Sequence, residues 1–289
     1  MLLFFFSCTP TKQTPITAPS TTVAPPAHLV IPSPRPHFPV KGRQGVAAMN
    51  DRYYVSGSIS LHTYDTNGTH ILSNDSPFET YTIPSNHIGD IEAHNGELYI
   101  AAEWFEDGEG KDIQIAIHDA ETLTWKRSFS FEPKSGQREV SGITVDSSRN
   151  RVWLCSWVGG DSGRHLYSYD LTTGEYKEKI KLSQEILWIQ GIEYHNDFFY
   201  VSADDGDAEK REPDHIYRVS MDGEVSLFRT LTDLNDVGEI EGLSVDTQKG
   251  VLLVHANRGK RIVKGMPKGF YPGYDQEIHE VYTYPLERD

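Results

Sequence analysis

From Val40 onward, apolar and polar residues alternate in short runs, and almost nowhere do apolar residues recur at helical spacing. Five runs share one form: RYYVSGS, ELYIAAE, RVWLCSW, FFYVSAD and VLLVHAN. Each follows an apolar strand that opens on a small residue, namely Gly45, Asp90, Gly142, Gly191 and Gly242. These anchors are 45, 52, 49 and 51 residues apart, so one unit repeats along the chain. The second and fourth units nearly superpose, Ile91-Glu92-Ala93-His94-Asn95 answering Ile192-Glu193-Tyr194-His195-Asn196. A third strand follows in every unit, and in the first four a fourth closes it, as in TWKRSFSF and EYKEKIKL. Asn50-Asp51, Asn95-Gly96 and Asp222-Gly223 supply turns at strand spacing. Four-stranded units of this length predict propeller blades, and hence an all-β, five-bladed β-propeller. The fifth unit ends after its third strand. Its outer strand is expected from the N-terminal HLVIPSPRPHFPV, which would close the ring and remove a sheet edge.

The start of the chain is different material. Met1–Cys8, MLLFFFSC, resembles the end of a bacterial lipoprotein signal, where a small residue precedes a Cys that becomes the lipidated N-terminus. Thr9–Pro36 holds eight of the 16 prolines and six threonines, a composition for an extended spacer. The expected organisation is a truncated signal over 1–8, a linker over 9–36 and a propeller over 37–289, placed in the cell envelope or secreted. Contact with a membrane is expected only through lipid on Cys8. That leaves Cys155, in the apolar strand VWLCSW, as a buried small hydrophobe with no disulfide partner.

Composition narrows the function. Across 289 residues, 42 Asp and Glu stand against 27 Lys and Arg, a formal net charge of −15. An acidic chain lacks the basic face that nucleic acid requires. No apolar run approaches the roughly 20 residues of a membrane-spanning helix.

In a propeller, the residues opening the inner strand and closing the second strand gather at one mouth of the central channel. The second strands end at Ser58, Glu103, Trp157, Asp204 and Asn257. Just before the anchors lie Gln44, Gly89, Ser141, Gln190 and Glu241, and two positions further back Gly42, His87, Glu139, Trp188 and Glu239. The connections on this side, Glu103–Asp112, Trp157–His165, Asp204–His215 and Asn257–His279, read as long loops, the usual layout of a binding face. Glu139, Glu239 and Glu241 are the candidate acid–base groups, because crowded carboxyls split into an acid and a base. Asp90, Trp104, Trp157, Trp188, Gln190, His255 and Arg258 are the candidate ligand contacts. Glu103, Asp204 and Asn257 could supply oxygen ligands to Ca2+. Glu92 and Glu193 lie one residue deeper on buried blade faces and must find partners or stay protonated. The basic, aromatic loop Asn257–His279 could fold over the mouth as a lid. Acids concentrated at this mouth suit it to cations or amines.

Arg43-Gln44-Gly45, Ile189-Gln190-Gly191 and Ile240-Glu241-Gly242 give a blade grammar that resembles the plant- and bacterial-type glutaminyl cyclotransferases, which are five-bladed. The blades also resemble the calcium-dependent gluconolactonase-type propellers, which are six-bladed. The first resemblance implies a pocket of acids and tryptophans that takes an N-terminal glutamine. The second implies an axial Ca2+, for which Glu103, Asp204 and Asn257 are the matching positions. Two functions follow. One is a tethered or secreted propeller that binds a small peptide or sugar at an acidic, Trp-rimmed mouth, with hydrolase, lactonase or cyclase-like acyltransferase chemistry as its enzymatic form. The other is a non-catalytic envelope module that grips a protein partner with the same face. An enzyme requires a deep pocket with carboxyls free to act; pairing of Glu139, Glu239 and Glu241 with backbone amides or with Arg and Lys speaks against it.

Overall fold

Five four-stranded antiparallel sheets surround a central axis in the computed structural model, which describes residues 35–130, 132–207, 210, 212–234, 237–263 and 266–287. The signal-like segment and nearly all of the spacer lie outside the described residues. Blade 1 runs Val46–Met49, Arg52–Gly57, Ser60–Asp65 and His70–Asn74 from inner to outer strand. Blade 2 is His87–His94, Glu97–Glu106, Glu109–Asp119 and Trp125–Ser130. Blade 3 is Gly142–Asp146, Arg151–Cys155, His165–Asp170 and Tyr176–Lys181, and blade 4 is Ile189–His195, Phe198–Ala203, His215–Ser220 and Val225–Thr230. Blade 5 is Val237–Asp246, Val251–Arg258 and Ile278–Pro285, completed on the outside by His37–Pro39 from the other end of the chain.

The alternating pattern follows from what each blade face meets. Val46, Tyr53, Val55 and Tyr64 pack with Leu253 and Val281 of blade 5, while Ala47, Tyr54 and Leu61 of the same strands pack with Ile88, Ile91 and Leu98 of blade 2. Successive residues therefore serve different neighbours, and both faces of the inner strands are dry. Cys155 is fully buried between blades 3 and 4, and burial raises its thiol pKa.

Short turns close the far side, where Asn50 and the Asn95-Gly96 pair take the positive φ of tight hairpins. On the mouth side, two connections are more ordered than loops. Glu103–Asp112 is the tip of a long hairpin that turns at Asp107-Gly108, with Trp104 opposite Lys111. Asn257–His279 contains its own hairpin, Lys260–Val263 against Met266–Phe270.

Blade 5 is fastened to blade 1 by polar contacts as well as apolar ones. Tyr53 Oη donates to Asp246 Oδ2 at 2.7 Å, His255 Nε2 donates to the Gly42 carbonyl at 3.0 Å, and Asn257 Nδ2 donates to the Arg43 carbonyl at 3.0 Å. At the axis the five anchors meet. A Cβ on Gly242 would stand 2.8 Å from the Gly45 Cα and 2.4 Å from Asp90 Oδ1, so only glycine fits beside the one carboxyl that fills the centre. Burial holds the Asp90 carboxyl well above its ordinary pKa against the pull of nearby amides, and its Oδ2 has no hydrogen-bond partner among the described residues. One layer deeper, Thr144 Oγ1 lies 3.0 Å from Glu92 Oε2 and 3.4 Å from Glu193 Oε2, tying three blades. Burial raises both glutamates, and the nearby Glu92 charge raises Glu193 further.

Candidate functional site

Above the glycine belt a cavity of about 320 Å3 opens at the mouth, and all five blades line it. Its floor is the set of residues directly before the anchors: Gln44, Gly89, Ser141, Gln190 and Glu241. Gly89, Gln190 and Glu241 face the cavity for a local reason. The pairing of inner and second strands shifts register between Ile88 and Ile91, between Ile189 and Gly191, and between Ile240 and Leu243. A bulge at this level re-aims the extra residue out of the ladder. From the column two residues further back, His87, Glu139 and Glu239 join the wall. Lys260, Ile262 and Pro267 of the blade 5 hairpin border the cavity from above, so this connection acts as a cover.

The three candidate acid–base residues meet here, and each is already engaged. Arg43 Nη2 lies 2.7 Å from Glu239 Oε2, 3.3 Å from Glu277 Oε1 and 3.6 Å from Glu241 Oε1. Glu241 also accepts from Asn257 Nδ2 at 2.6 Å. With its amide nitrogen turned toward Glu241, Gln44 donates to Oε2 at 3.2 Å and accepts from Arg43 Nη1 at 3.1 Å. Burial and the nearby Glu239 charge push the Glu241 carboxyl well up, with Arg43 opposing. Glu139 Oε2 accepts the backbone N–H of Trp157 at 2.5 Å and of Val158 at 3.4 Å. Burial first, then repulsion from Glu103, raise Glu139 well above the usual carboxyl range. Behind the wall, Glu103 accepts the Val140 N–H at 3.0 Å and lies 3.3 Å from His87 Nδ1; burial lifts its pKa to about 8. Desolvation lowers His87 to about 4, so its ring is neutral. Lys260 pairs with Glu277 at 3.4 Å. The cavity thus offers planar donors and acceptors whose charges are matched within the protein.

Among the candidate ligand contacts, Trp157 and Gln190 line the cavity; Asp90 lies just beneath the floor. Trp188 is set back, its ring 4.8 Å from that of Trp157. Trp104, 39% exposed, sits on the outer hairpin. His255 does not reach the channel. It occupies the second-strand position held by Ser56, Cys155 and Ser202 elsewhere, fully buried against Gly42. Arg258 turns away to a buried ion pair with Glu280 at 2.8 Å. The proposed calcium ligands do not share a centre. Glu103 is taken by Val140 and His87, Asn257 accepts from His279 at 2.7 Å, and Asp204 is held up by burial beside Asp214. No group of three acidic, His or Cys side chains among the described residues is arranged to hold an ion. Residues of blades 2, 4 and 5 whose oxygens are engaged separately do not fit the Ca2+ site.

Sequence reasoning overlooked Arg43, His87 and Phe105. Arg43 was hidden because it precedes the Gln-Gly anchor and read as part of the blade grammar. His87 stood in the right column but lacked a neighbour in sequence to mark it. Phe105, whose ring lies 5.3 Å from that of His87, falls in a stretch that reads as a loop.

No protein-family model matches the chain, and no curated protein does. Similar solved structures share very low identity with it. A Bacteroides thetaiotaomicron protein of unknown function shares 10% identity over 85% of this chain and 70% of its own, with a TM-score of 0.51. The glutaminyl cyclase of Myxococcus xanthus shares 10% over 87% and 96%, with a TM-score of 0.49. A gluconolactonase of Xanthomonas campestris shares 9% over 81% and 68%, with a TM-score of 0.47. At this identity the Bacteroides likeness speaks to architecture alone. By its own strand order the chain is a five-bladed β-propeller closed by its N-terminal strand.

Proposed function

We propose that this protein is a ligand-binding propeller whose mouth cavity takes a small, uncharged, hydroxyl-rich molecule of the sugar class. The observation that carries this reading is the internal matching of charge. Arg43 answers Glu239, Lys260 answers Glu277, and burial favours the protonated forms of Glu139 and Glu241. A cavity so balanced has little pull on a free cation, yet it presents the carboxamides of Gln44 and Gln190, the hydroxyls of Ser58 and Ser141, and the carboxyls of Glu139 and Glu241. Such groups suit vicinal hydroxyls, and Trp157 adds a flat apolar face for a sugar ring. A neutral ligand leaves the buried pairs intact; a charged one would have to break them.

The three carboxyls being occupied weighs against catalysis by them, and the covered concave shape weighs against a flat protein-docking face. Attachment to the cell envelope rests on Cys8 and the Thr/Pro-rich spacer. Titration calorimetry with neutral monosaccharides, and with alkylamines of similar size as the comparison, tests the reading. Sugar binding that Trp157→Ala and Gln190→Ala both weaken at least tenfold supports it. Amine binding without sugar binding overturns it.

A further inference from the structure

Two tryptophans stand together at one side of the cavity in an arrangement that the cavity itself does not explain. Trp157 lines the cavity and also borders a shallow crevice on its outer side, together with Gly159, Leu187 and Trp188. The indoles of Trp157 and Trp188 lie 4.8 Å apart at 43°. Both are half-buried, neither indole nitrogen has a hydrogen-bond acceptor among the described residues, and Leu187 beside them is 51% exposed. Neither indole nitrogen is among the buried unpartnered atoms, so both N–H groups reach solvent and are open to a ligand.

The backbone adds an independent sign. Trp188 has φ +54°, in the left-handed region that a bulky side chain rarely occupies. The position is held because the Asp204 N–H donates to the Trp188 carbonyl at 3.0 Å and because Ile186 and Ile189 on either side are buried. Strain of this kind persists where the surroundings over-determine it, and it clusters at ligand sites. Trp157 is fixed as firmly, since Glu139 holds its backbone N–H. Gly159 borders the crevice without filling it: a Cβ there would meet nothing within 4 Å.

We propose that the Trp157–Trp188 ledge is a second subsite that seats the next unit of an oligosaccharide whose end unit occupies the cavity. This rests on the sugar reading of the cavity and extends it to ligand length. A linear glycan would pass from the floor over Trp157 and lie on Trp188, with Leu187 at the outer edge. Sugar rings suit the ledge because they offer an apolar face to the indoles and hydroxyls to the two N–H groups. A peptide would look for an open strand edge to pair with, and the second and third strands of blades 3 and 4 are each paired on both sides.

The test is calorimetry on the full chain with glucose, maltose and maltotriose, and with N-acetylglucosamine and its β-1,4-linked dimer and trimer. The expected result is at least tenfold tighter binding of a trimer than of its monomer. Trp188→Ala should abolish that advantage and leave monomer affinity within twofold, whereas Trp157→Ala should weaken both. Trp188→Phe, which keeps a ring, should retain most of the advantage and guards against a folding defect in the alanine variant. Equal affinity for monomer and trimer overturns the subsite while leaving the cavity reading in place. Equal loss of monomer and trimer in Trp188→Ala also overturns it, by making Trp188 a support for Trp157 alone. Binding of triglycine or triproline with no saccharide bound overturns both readings, as does no binding of any of these probes.

Discussion

Arg43 of blade 1 reaches across the seam of the ring to Glu239 of blade 5, with 2.7 Å between Nη2 and Oε2. The same guanidinium lies within 3.6 Å of Glu241 and 3.3 Å of Glu277. One side chain thus pairs with Glu239, reaches two further acids and joins the first blade to the last. The charge balance of the cavity and the closure of the propeller share this residue.

Arg43→Ala is therefore expected to destabilise the fold by about 3 kcal/mol at neutral pH, since it strands the buried Glu239 carboxylate without its counter-charge in a cluster of acids. Lowering the pH to 5 should recover part of the loss, because the stranded acids then take up protons. Urea unfolding of both proteins at the two pH values measures this. A loss that is small at pH 7, or that does not shrink on acidification, contradicts the pairing.

Stability should fall as pH rises from 6.5 to about 8. Burial raises Glu103 from 4.5 to about 8 and Asp214 from 3.8 to about 7. Between the unfolded and folded values, the folded protein binds more protons than the unfolded chain, so rising pH costs stability. His87 and His62 act with the opposite sign: desolvation lowers each from 6.5 to about 4, and stability is lost as pH falls below 6.5. Above 6.5 the histidine effect is complete and the acids alone remain. The urea midpoint should decline over this window, and Glu103→Gln should flatten the decline. A midpoint that rises toward pH 8 would be the wrong sign.

Gly242→Ala should cost about 1–3 kcal/mol or more, because the new methyl meets Asp90 and the Gly45 backbone at the axis. Pairing it with Asp90→Gly relieves one of the two clashes. The double variant should be less destabilised than the two single effects added together, a coupling that thermal unfolding reads directly.

Calcium should not raise the melting temperature by more than about 1 °C, since Glu103, Asp204 and Asn257 keep separate partners. A rise of several degrees that Glu103→Gln abolishes would restore an axial ion.

Much of this architecture was readable from the chain. The small anchors and the alternating runs located all the inner and second strands, because each blade face meets a dry neighbour and tolerates little else. The columns around the anchors even placed the cavity floor, from Gln44 to Glu241. What stayed hidden was partnership across the ring. Arg43 and Glu239 are 196 residues apart, and no local pattern announces that they touch. His255 misled for the same reason: its distance from the mouth was legible, but the Gly42 carbonyl it holds belongs to the other end of the sequence. Acidic composition likewise suggested a mouth that attracts cations, whereas burial and Arg43 leave its carboxyls largely satisfied.

The outer strand His37–Pro39, which pairs with Ile278–Pro285, makes the ring a problem of timing. Blades 1 to 4 leave the ribosome in order, and each can pack on the one before it. The face of blade 1 made of Val46, Tyr53, Val55 and Tyr64 has no such neighbour until Leu253 and Val281 have been translated. For most of its synthesis the nascent chain therefore carries an open apolar sheet at its leading end, and contacts spanning more than two hundred residues must form last.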